Sequence, residues 1–178
     1  MKNIVIAAGY ATRLGELTKN FPKPLLKIGN NTILGRMLDD IDAIPDIDEH
    51  IIITNHKFAH IFNEWKDQQS YTKPITIIDD GTETNDTRLG AVCDLLFAMD
   101  KLQIDDDLLV VAADNLLFFS FRDFVEYAKT KGTSCIICHD HRNATAADNH
   151  ALPMIAVSNT MCNTGKNTPK SRLGVIHN

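Results

Sequence analysis

NIVIAAGYATRLGELTKNFPKPLLKIG, residues 3–29, joins a short β-branched run to a loop of small residues and a pair of prolines. The run NIVIAA has the length and the continuous apolar character of a strand that is buried on both faces. Ala7, Ala8, Gly9 and Ala11 have small side chains, which allow backbone N–H groups to approach a phosphate chain closely. The stretch therefore predicts a buried first strand that ends in an anion-binding loop.

Two cations in the same stretch favour this interpretation. Arg13 carries a planar, permanently charged group that suits phosphate oxygens. Lys23 lies between Pro22 and Pro24, which restrict the backbone, and Pro24 favours an extended conformation at Lys23. A lysine held in this way loses less entropy when it binds an anion. Either cation alone would be interpreted as a solvated surface residue, but the combination indicates an anion site.

Strand and helix patterns alternate along the rest of the chain. Thr32 and Ser120 are predicted N-caps of helices. A further helix is predicted to bury the face that carries Leu89, Val92, Leu95, Leu96 and Met99. Strands are predicted at 3–8, 50–54, 75–78, 108–113 and 134–138, with two short ones at 154–157 and 173–176. Apolar strands that alternate with amphipathic helices predict a three-layer, doubly wound, mostly parallel Rossmann-like α/β sheet with helices on both faces.

Polar residues follow two of the predicted strands where each strand ends. One group is the loop after the first strand, and the other is Asp114 with Asn115 after the fourth. The carboxyl ends of parallel strands meet at one edge of a sheet, where ligands usually bind, so we expect the two groups to lie close together. Asn115 either positions a metal-bound water or caps the turn after Asp114.

A second acidic group lies in the loop after the third predicted strand. Its members are Asp79, Asp80, Glu83 and Asp86. The EF-hand pattern fails here because Gly90 occupies its twelfth position. The sequence therefore predicts a solvated turn.

Composition limits the classes of function. The chain has 178 residues, of which 44% are hydrophobic and 23% charged, and its net charge is −5. This acidic balance argues against a nucleic-acid partner, and the apolar runs are too short for a membrane span. The N-terminal apolar run is also too short for a signal peptide, so we expect a cytoplasmic protein whose four cysteines are free thiols. A homo-oligomeric assembly stays open.

The opening stretch lacks G-x-x-x-x-G-K-[ST] and the complete G-x-G-x-x-G pattern, which argues against a P-loop or a dinucleotide site. It resembles instead the signature of the nucleotidylyltransferases that make nucleotide sugars, approximately G-x-G-T-R-L, then T, then P-K-P-L. The likeness is close over the first thirty residues. It extends more loosely through LGAV (89–92) and VVAADN (110–115), and it fades after residue 140.

This resemblance implies a Mg²⁺-dependent enzyme with two substrates, a nucleoside triphosphate and a phosphorylated small-molecule acceptor. The phosphate of a sugar 1-phosphate would attack the α-phosphorus and release pyrophosphate. Arg13, Lys23 and Asp114 would be the catalytic residues, with Asp114 as the metal ligand. Lys166 would contact the acceptor. The nucleotide would bind Ala7, Ala8, Gly9, Tyr10, Ala11, Thr12, Arg13 and Gly90.

The chain also departs from the family pattern. Ala11 stands at the second glycine of the pattern, and Gly15 and Glu16 replace a residue followed by proline. Family members continue through an E-K-P motif and a second metal-binding Asp, whereas NTGKNTPKSRLGV (163–175) resembles an eroded form of that region. We therefore expect a nucleotide-binding core at 1–140 and a shortened remainder of the acceptor-binding half at 141–178, within a single domain. Cytidylyl transfer to a phospho-alcohol such as phosphocholine and a non-catalytic nucleotide-binding remnant are the alternatives.

Overall fold

The computed structural model describes residues 1–11, 15, 18–117 and 119–138, together with two strands at 156–158 and 174–177. Within these residues the strands are β1 (Lys2–Ile6), β2 (Lys27–Ile28), β3 (Asn31–Thr32), β4 (Glu49–Thr54), β5 (Ile75–Asp79), β6 (Leu108–Ala112), β7 (Cys135–Cys138), β8 (Ala156–Ser158) and β9 (Gly174–His177). The α-helices are α1 (Ile33–Asp42), α2 (His56–Asp67), α3 (Ala91–Leu102) and α4 (Phe121–Lys131).

Seven of these strands form one sheet in the order β5-β4-β1-β6-β8-β7-β9, and β2 and β3 form a separate hairpin. The strand β1 lies between β4 and β6 and is parallel to both, with Ile6 opposite Ile53 and Ala112. The strand β5 is parallel to β4, and β9 is parallel to β7. The exception is β8, which is antiparallel to both β6 and β7. The predicted mostly parallel α/β sheet is therefore confirmed.

Helices cover both faces of the sheet. Side chains of α1, α2 and α4 pack with Val5, Ile52 and Val111 in the larger core. The smaller core lies on the other face, where Ala98 and Met99 of α3 pack with Ile4 and its neighbours. The chain moves from β1 to β4 and β5 through α1 and α2, which lie on one face of the sheet. It then returns from β5 to β6, on the other side of β1, and a right-handed crossover in this opposite direction places α3 on the other face. The reversal puts a crevice at the carboxyl ends of β1 and β6.

Local signals explain where the helices begin and end. Both predicted caps are confirmed, because the Thr32 hydroxyl accepts a hydrogen bond from the Gly35 amide and the Ser120 hydroxyl accepts one from the Asp123 amide. Gly132 ends α4 with a φ of +57°, a left-handed conformation that favours glycine. In the described part of the chain, no helix has the length and apolar character that a membrane crossing requires.

The prediction for the buried face of α3 is confirmed for Leu95 and Met99, which pack in the smaller core, and is wrong for Leu89, Val92 and Leu96. Leu89, Val92 and Leu96 are 41%, 61% and 48% exposed, whereas Asp94, Ala98 and Met99 are buried. Apolar residues cover more than half of the circumference of α3, and only one side of a helix can contact a sheet. The small Ala98 allows close approach to the strands, so that side packs inward and the branched residues face outward.

Candidate functional site

The loop after β1 is fixed to the neighbouring strand. The Ala7 amide donates to the carbonyl of Ile53 at 2.8 Å. The Asn55 side chain, which is fully buried, donates to the carbonyl of Ala8 at 3.0 Å and accepts from the Phe58 amide at the start of α2. Ala7 and Ala8 are buried, and the chain becomes exposed at Gly9. One asparagine therefore connects the predicted nucleotide loop to the end of β4.

Ala11 and Thr18 hold the described part of this loop together. Ala11 has a φ of +46°, and its carbonyl accepts a hydrogen bond of 2.8 Å from the buried Thr18 hydroxyl. A positive φ is a glycine conformation, which gives a physical reason for glycine at this place in the family pattern. Thr12 and Arg13, both predicted nucleotide contacts, lie outside the described residues.

Lys23 and Asp114 lie together. The Lys23 ammonium is 3.2 Å from Oδ2 of Asp114, although 91 positions separate them along the chain. Asp114 is 54% exposed, so its carboxylate is open to a ligand as well as to the lysine. The structure thus joins two of the predicted catalytic residues in one ion pair, and their roles stay predictions.

The backbone at Lys23 differs from the prediction. Lys23–Leu25 form one 3₁₀ turn, in which the amides of Leu25 and Leu26 donate to the carbonyls of Pro22 and Lys23. The expected extended conformation at Lys23 is therefore wrong. Pro24 fits inside the turn because its fixed φ suits a 3₁₀ helix and the turn needs no N–H from it. Pro24 and Leu25 are buried, and this anchoring fixes the direction of the lysine.

Asp114 is held at the edge of the sheet by its neighbours. The Ala113 amide donates to the carbonyl of Ile6 at 3.0 Å, which continues the pairing of β6 with β1 up to the carboxylate. The Asn115 side chain donates to Oδ1 of Asp114 at 3.0 Å. The loop after β1 and Asp114 thus lie at the same edge of the sheet, as expected.

A cavity of about 590 Å³ lies on the side of α1 and is lined by Asn115, the residue that follows Asp114. Asn115 contributes to its wall together with Arg36, Asp40, Leu116 and Phe119. Its volume lies within the range of small-molecule sites, and its wall mixes charged and apolar groups. The structure therefore leaves room for a small molecule between α1 and the segment that follows Asp114.

The acidic loop after β5 is not simply a solvated turn. Asp80 is only 8% exposed, and its Oδ1 accepts two hydrogen bonds of 2.7 Å, from the amide and the hydroxyl of Thr82. The Thr82 hydroxyl in turn lies 3.2 Å from the Tyr10 hydroxyl. Burial, with a smaller contribution from the charge of Asp80, raises the pKa of Tyr10. The solvated-turn prediction was wrong at Asp80, because packing against α3 excludes water there.

Gly90 directly precedes α3 and has a φ of +89°, where any side chain would strain the backbone. Its carbonyl accepts a hydrogen bond of 2.9 Å from the Asp94 amide. Asp94 is 3% exposed, and burial together with the neighbouring Asp80 carboxyl raises its pKa to about 6. A continuous series of contacts, Tyr10–Thr82–Asp80–Asp94–Gly90, therefore connects the two predicted nucleotide-binding segments.

Three residues in this region, Asn55, Asp80 and Asp94, were not predicted to belong to the site. Lys166 lies outside the described residues. Asn55 could have been found, because an Asn directly before a helical pattern is an N-cap signal. Asp80 and Asp94 carried no such signal, since the burial of a carboxylate depends on which elements pack around it.

Asp114 is the described residue that fits a Mg²⁺ ion. It follows β6 at a ligand-binding edge, and Mg²⁺ typically takes one or two carboxylates and completes its shell with substrate phosphates and water. No group of three or more metal-ligating side chains is found among the described residues.

Known proteins resemble this chain in sequence and in fold. A family model described as nucleotidyl transferase matches residues 2–147. Mannose-1-phosphate guanylyltransferase 1 of Arabidopsis thaliana is 29% identical over 135 residues, which are 74% of this chain and 36% of that protein. Mannose-1-phosphate guanyltransferase of Candida albicans is 24% identical over 135 residues, which are 75% of this chain and 36% of that protein.

The chain thus spans a little over a third of the length of these curated relatives. A solved structure of UDP-glucose pyrophosphorylase in complex with UDP-glucose superimposes with a TM-score of 0.62 at 17% identity. The superposition covers 76% of this chain and 56% of that chain, and at this identity it supports the fold alone. Because the family model covers most of the sequence, the chain belongs to the nucleotidyl transferase family.

Proposed function

We propose that this protein transfers a nucleoside monophosphate from a nucleoside triphosphate to a sugar 1-phosphate. The observation that carries the proposal is the ion pair of Lys23 with Asp114, whose charged atoms are 3.2 Å apart. It lies at the edge of the sheet where β1 ends and the loop of small residues begins. The family match and the names of the relatives, which act on mannose 1-phosphate, support the sugar phosphate as acceptor. We further propose a cytoplasmic location and dependence on Mg²⁺.

In this reaction an oxygen of the acceptor phosphate forms a bond to the α-phosphorus of the triphosphate. The bond from that phosphorus to the bridging oxygen breaks, and pyrophosphate leaves with the electron pair. Two anions must approach each other, so the site has to offset negative charge as it develops. The reaction needs no nucleophile from the protein.

The residues of this chain divide that work. The backbone of Ala8, Gly9 and Ala11 would bind the triphosphate oxygens, and the Lys23 ammonium would offset charge near the reacting phosphate. Gly90 would contact the base. Asp114 would hold Mg²⁺, which supplies additional positive charge at the phosphates when it is bound.

Pyrophosphate release tests the proposal. The full chain is incubated with Mg²⁺ and each common nucleoside triphosphate in turn, against mannose 1-phosphate, glucose 1-phosphate, N-acetylglucosamine 1-phosphate and phosphocholine. We expect release with a sugar 1-phosphate. We expect Asp114→Asn to reduce it to background while circular dichroism shows an unchanged fold. Asp105→Asn, at an exposed position before β6, is the matched control and should be as active as the wild type.

Each other outcome assigns a different role. Release with phosphocholine alone would replace the sugar acceptor by a phospho-alcohol. Triphosphate binding without release for any acceptor would make the protein a nucleotide-binding module. Unchanged activity of Asp114→Asn would remove Asp114 from the metal role.

A further inference from the structure

Two buried carboxyl groups contact each other beneath the proposed nucleotide site. Asp80 follows β5 and Asp94 lies in the first turn of α3, and they are 8% and 3% exposed. The two side chains are in hydrogen-bonding contact. Oδ2 of Asp80 and Oδ1 of Asp94 are buried, and neither accepts a hydrogen bond from any donor among the described residues. The pair is therefore an unusual arrangement of two acids in the interior.

A proton accounts for this arrangement. Two ionised carboxylates repel each other and both lose hydration on burial, so ionising both at this place is costly. A single proton between them turns one group into a donor and the other into an acceptor, and it satisfies both unpartnered oxygens at once. Both acceptor positions of the other Asp80 oxygen, Oδ1, are already used, since it accepts hydrogen bonds from the amide and the hydroxyl of Thr82.

We propose that Asp80 and Asp94 share one proton and that, as a carboxylic acid–carboxylate pair, they position the two sides of the nucleotide site relative to each other. This inference rests on the proposed function. Asp80 holds Thr82, whose hydroxyl contacts the Tyr10 hydroxyl in the loop after β1. Asp94 lies one turn after Gly90 and its amide binds the Gly90 carbonyl. The shared proton thus links the triphosphate loop to the residue assigned to the base.

The groups that face the pair do not favour a second negative charge. Asp79 at the end of β5 and Glu83 in the following loop flank Asp80, and all three act on the Tyr10 phenol in the loop after β1. His56 at the start of α2 interacts with Asp79, at 2.6 Å. On Asp94 itself, burial and the Asp80 carboxyl oppose ionisation. Loss of the shared proton would separate α3 from the loop after β5.

The consequence is a proton-linked nucleotide affinity. Binding of a triphosphate requires both sides of the site to be in place, so the bound protein retains the proton to a higher pH than the free protein. By linkage, nucleotide binding takes up a proton near neutral pH, and affinity falls as pH rises. An amide at position 94 donates permanently to Asp80 and removes this dependence. Asp94→Asn should therefore bind nucleotide at high pH better than the wild type.

Calorimetric titration with MgGTP, in buffers of different ionisation enthalpy, measures both affinity and proton uptake. We expect the wild type to take up a proton at pH 7 and Asp94→Asn to take up less. The ratio of wild-type to Asp94→Asn dissociation constants should rise by about tenfold between pH 5.5 and 8.5, the effect of a one-unit pKa difference between the free and bound protein. The titration of the triphosphate itself cancels in this ratio. Asp94→Ala should bind weakly at both pH values, and Asp100→Asn, exposed on the same helix, should behave as the wild type.

Carbon-13 NMR of the aspartate carboxyl groups tests the pair without any nucleotide. We expect the pair to retain one proton at pH 5, above the ordinary range of aspartate. If both groups titrate near pH 4, or if proton uptake and the pH profile are the same in Asp94→Asn as in the wild type, the inference is wrong. If the wild type binds no nucleotide while the NMR titration shows the shared proton, the proposed function fails and so does the positioning role.

Discussion

Ala11 adopts a backbone conformation that is costly for any residue other than glycine. Its φ of +46° belongs to a region that costs an L-amino acid roughly 1–2 kcal/mol. The Thr18 hydroxyl, which binds the Ala11 carbonyl, holds the backbone in this conformation. The loop after β1 is therefore strained at Ala11. Among residues that have a Cβ atom, alanine has the smallest side chain, and glycine would relieve the strain.

Substitutions at position 11 test this strain. Ala11→Val should lower the free energy of unfolding by about 1–2 kcal/mol, because a β-branched side chain fits a positive φ poorly. Ala11→Gly removes the strain but adds freedom to the unfolded chain, so its net effect should lie within about 1 kcal/mol above the wild type. Urea unfolding measures both variants. Equal stability of the valine variant would show that the backbone at position 11 does not need a positive φ.

At the scale of single residues, the sequence predicted the charged residues of the motif, but it did not predict the burial of side chains that results from packing. Lys23 and Asp114 were predicted from short patterns and are paired in the structure. The burial of Asp80 and Asp94 was not predicted, because a run of acidic residues looks solvated until another element covers it. The conformation of Lys23 was mispredicted, since the rule for a residue before proline disfavours the α-helix more strongly than a single 3₁₀ turn.

At the scale of elements, the junction of β4 and α2 connects folding to the site. Asn55 caps α2 through its Oδ1 and binds the Ala8 carbonyl through its Nδ2. The same side chain thus begins a helix and fixes the predicted triphosphate loop. By contrast, Ser120 caps α4 through one hydroxyl bond to the Asp123 amide.

These two caps form a matched pair for a test. Both Asn55→Ala and Ser120→Ala should lose about 1 kcal/mol of stability through the missing cap. Asn55→Ala should lose about 1–3 kcal/mol more, since it leaves the buried Ala8 carbonyl without a partner. It should also weaken triphosphate binding, which Ser120→Ala should leave unchanged. Urea unfolding and calorimetric titration measure the two effects, and equal binding by both variants would contradict the assigned link between Asn55 and the loop.

Element types were readable from periodicity, but their orientation was not. The alternating pattern predicted the strands and helices of the sheet, and caps at Thr32 and Ser120 gave two helix starts. The buried face of α3 was predicted only in part, because apolar residues surround most of the helix and leave several orientations open. The contact between Ala98 and the strands decides it, and that contact is a tertiary property.

At the scale of the whole molecule, stability depends on pH through titratable groups for which the fold favours different forms. It favours the neutral form of His50 and the ionised form of Asp42. His50 is fully buried between the Asn3 side chain, 3.0 Å from its Nδ1, and Asp42, 3.2 Å from its Nε2. Burial lowers the pKa of His50 below its ordinary value of 6.5. Burial opposes the ionisation of Asp42, but hydrogen bonds from Thr72, Lys73 and His50 outweigh it and lower the pKa of Asp42 to about 2.

The sign of the pH dependence follows from these shifts. Below pH 6.5 the unfolded chain binds a proton at His50 that the folded chain resists, so the free energy of unfolding falls as pH is lowered, by at most about 1.4 kcal/mol per pH unit. Asp94 acts in the opposite sense between pH 6 and 3.8, because its raised pKa makes the folded chain bind the proton. The contribution of Asp42 is lost only as pH falls from 3.8 towards 2.

Urea unfolding at pH 7.5, 6.5 and 5.5 separates these contributions. The stability difference between the wild type and His50→Gln should shrink as pH falls, since the glutamine variant has no proton to bind at that place. Asp94 contributes equally to both proteins and cancels. His60→Gln, at an exposed position on α2, should follow the wild type at every pH. A constant difference between the wild type and His50→Gln would mean that His50 titrates normally in the folded protein.

The antiparallel strand β8 has a consequence for how the polypeptide can be divided. It is inserted between β6 and β7, and in the described part of the chain β7 reaches the parallel strands only through it. A version shortened at residue 140 would keep every residue assigned to the triphosphate but would leave the outer edges of β6 and β7 with free peptide groups. Such edges recruit strands from other molecules. By covering the edge of β6 that lies next to the proposed site, the short strand β8 thus protects the parallel strands from self-association.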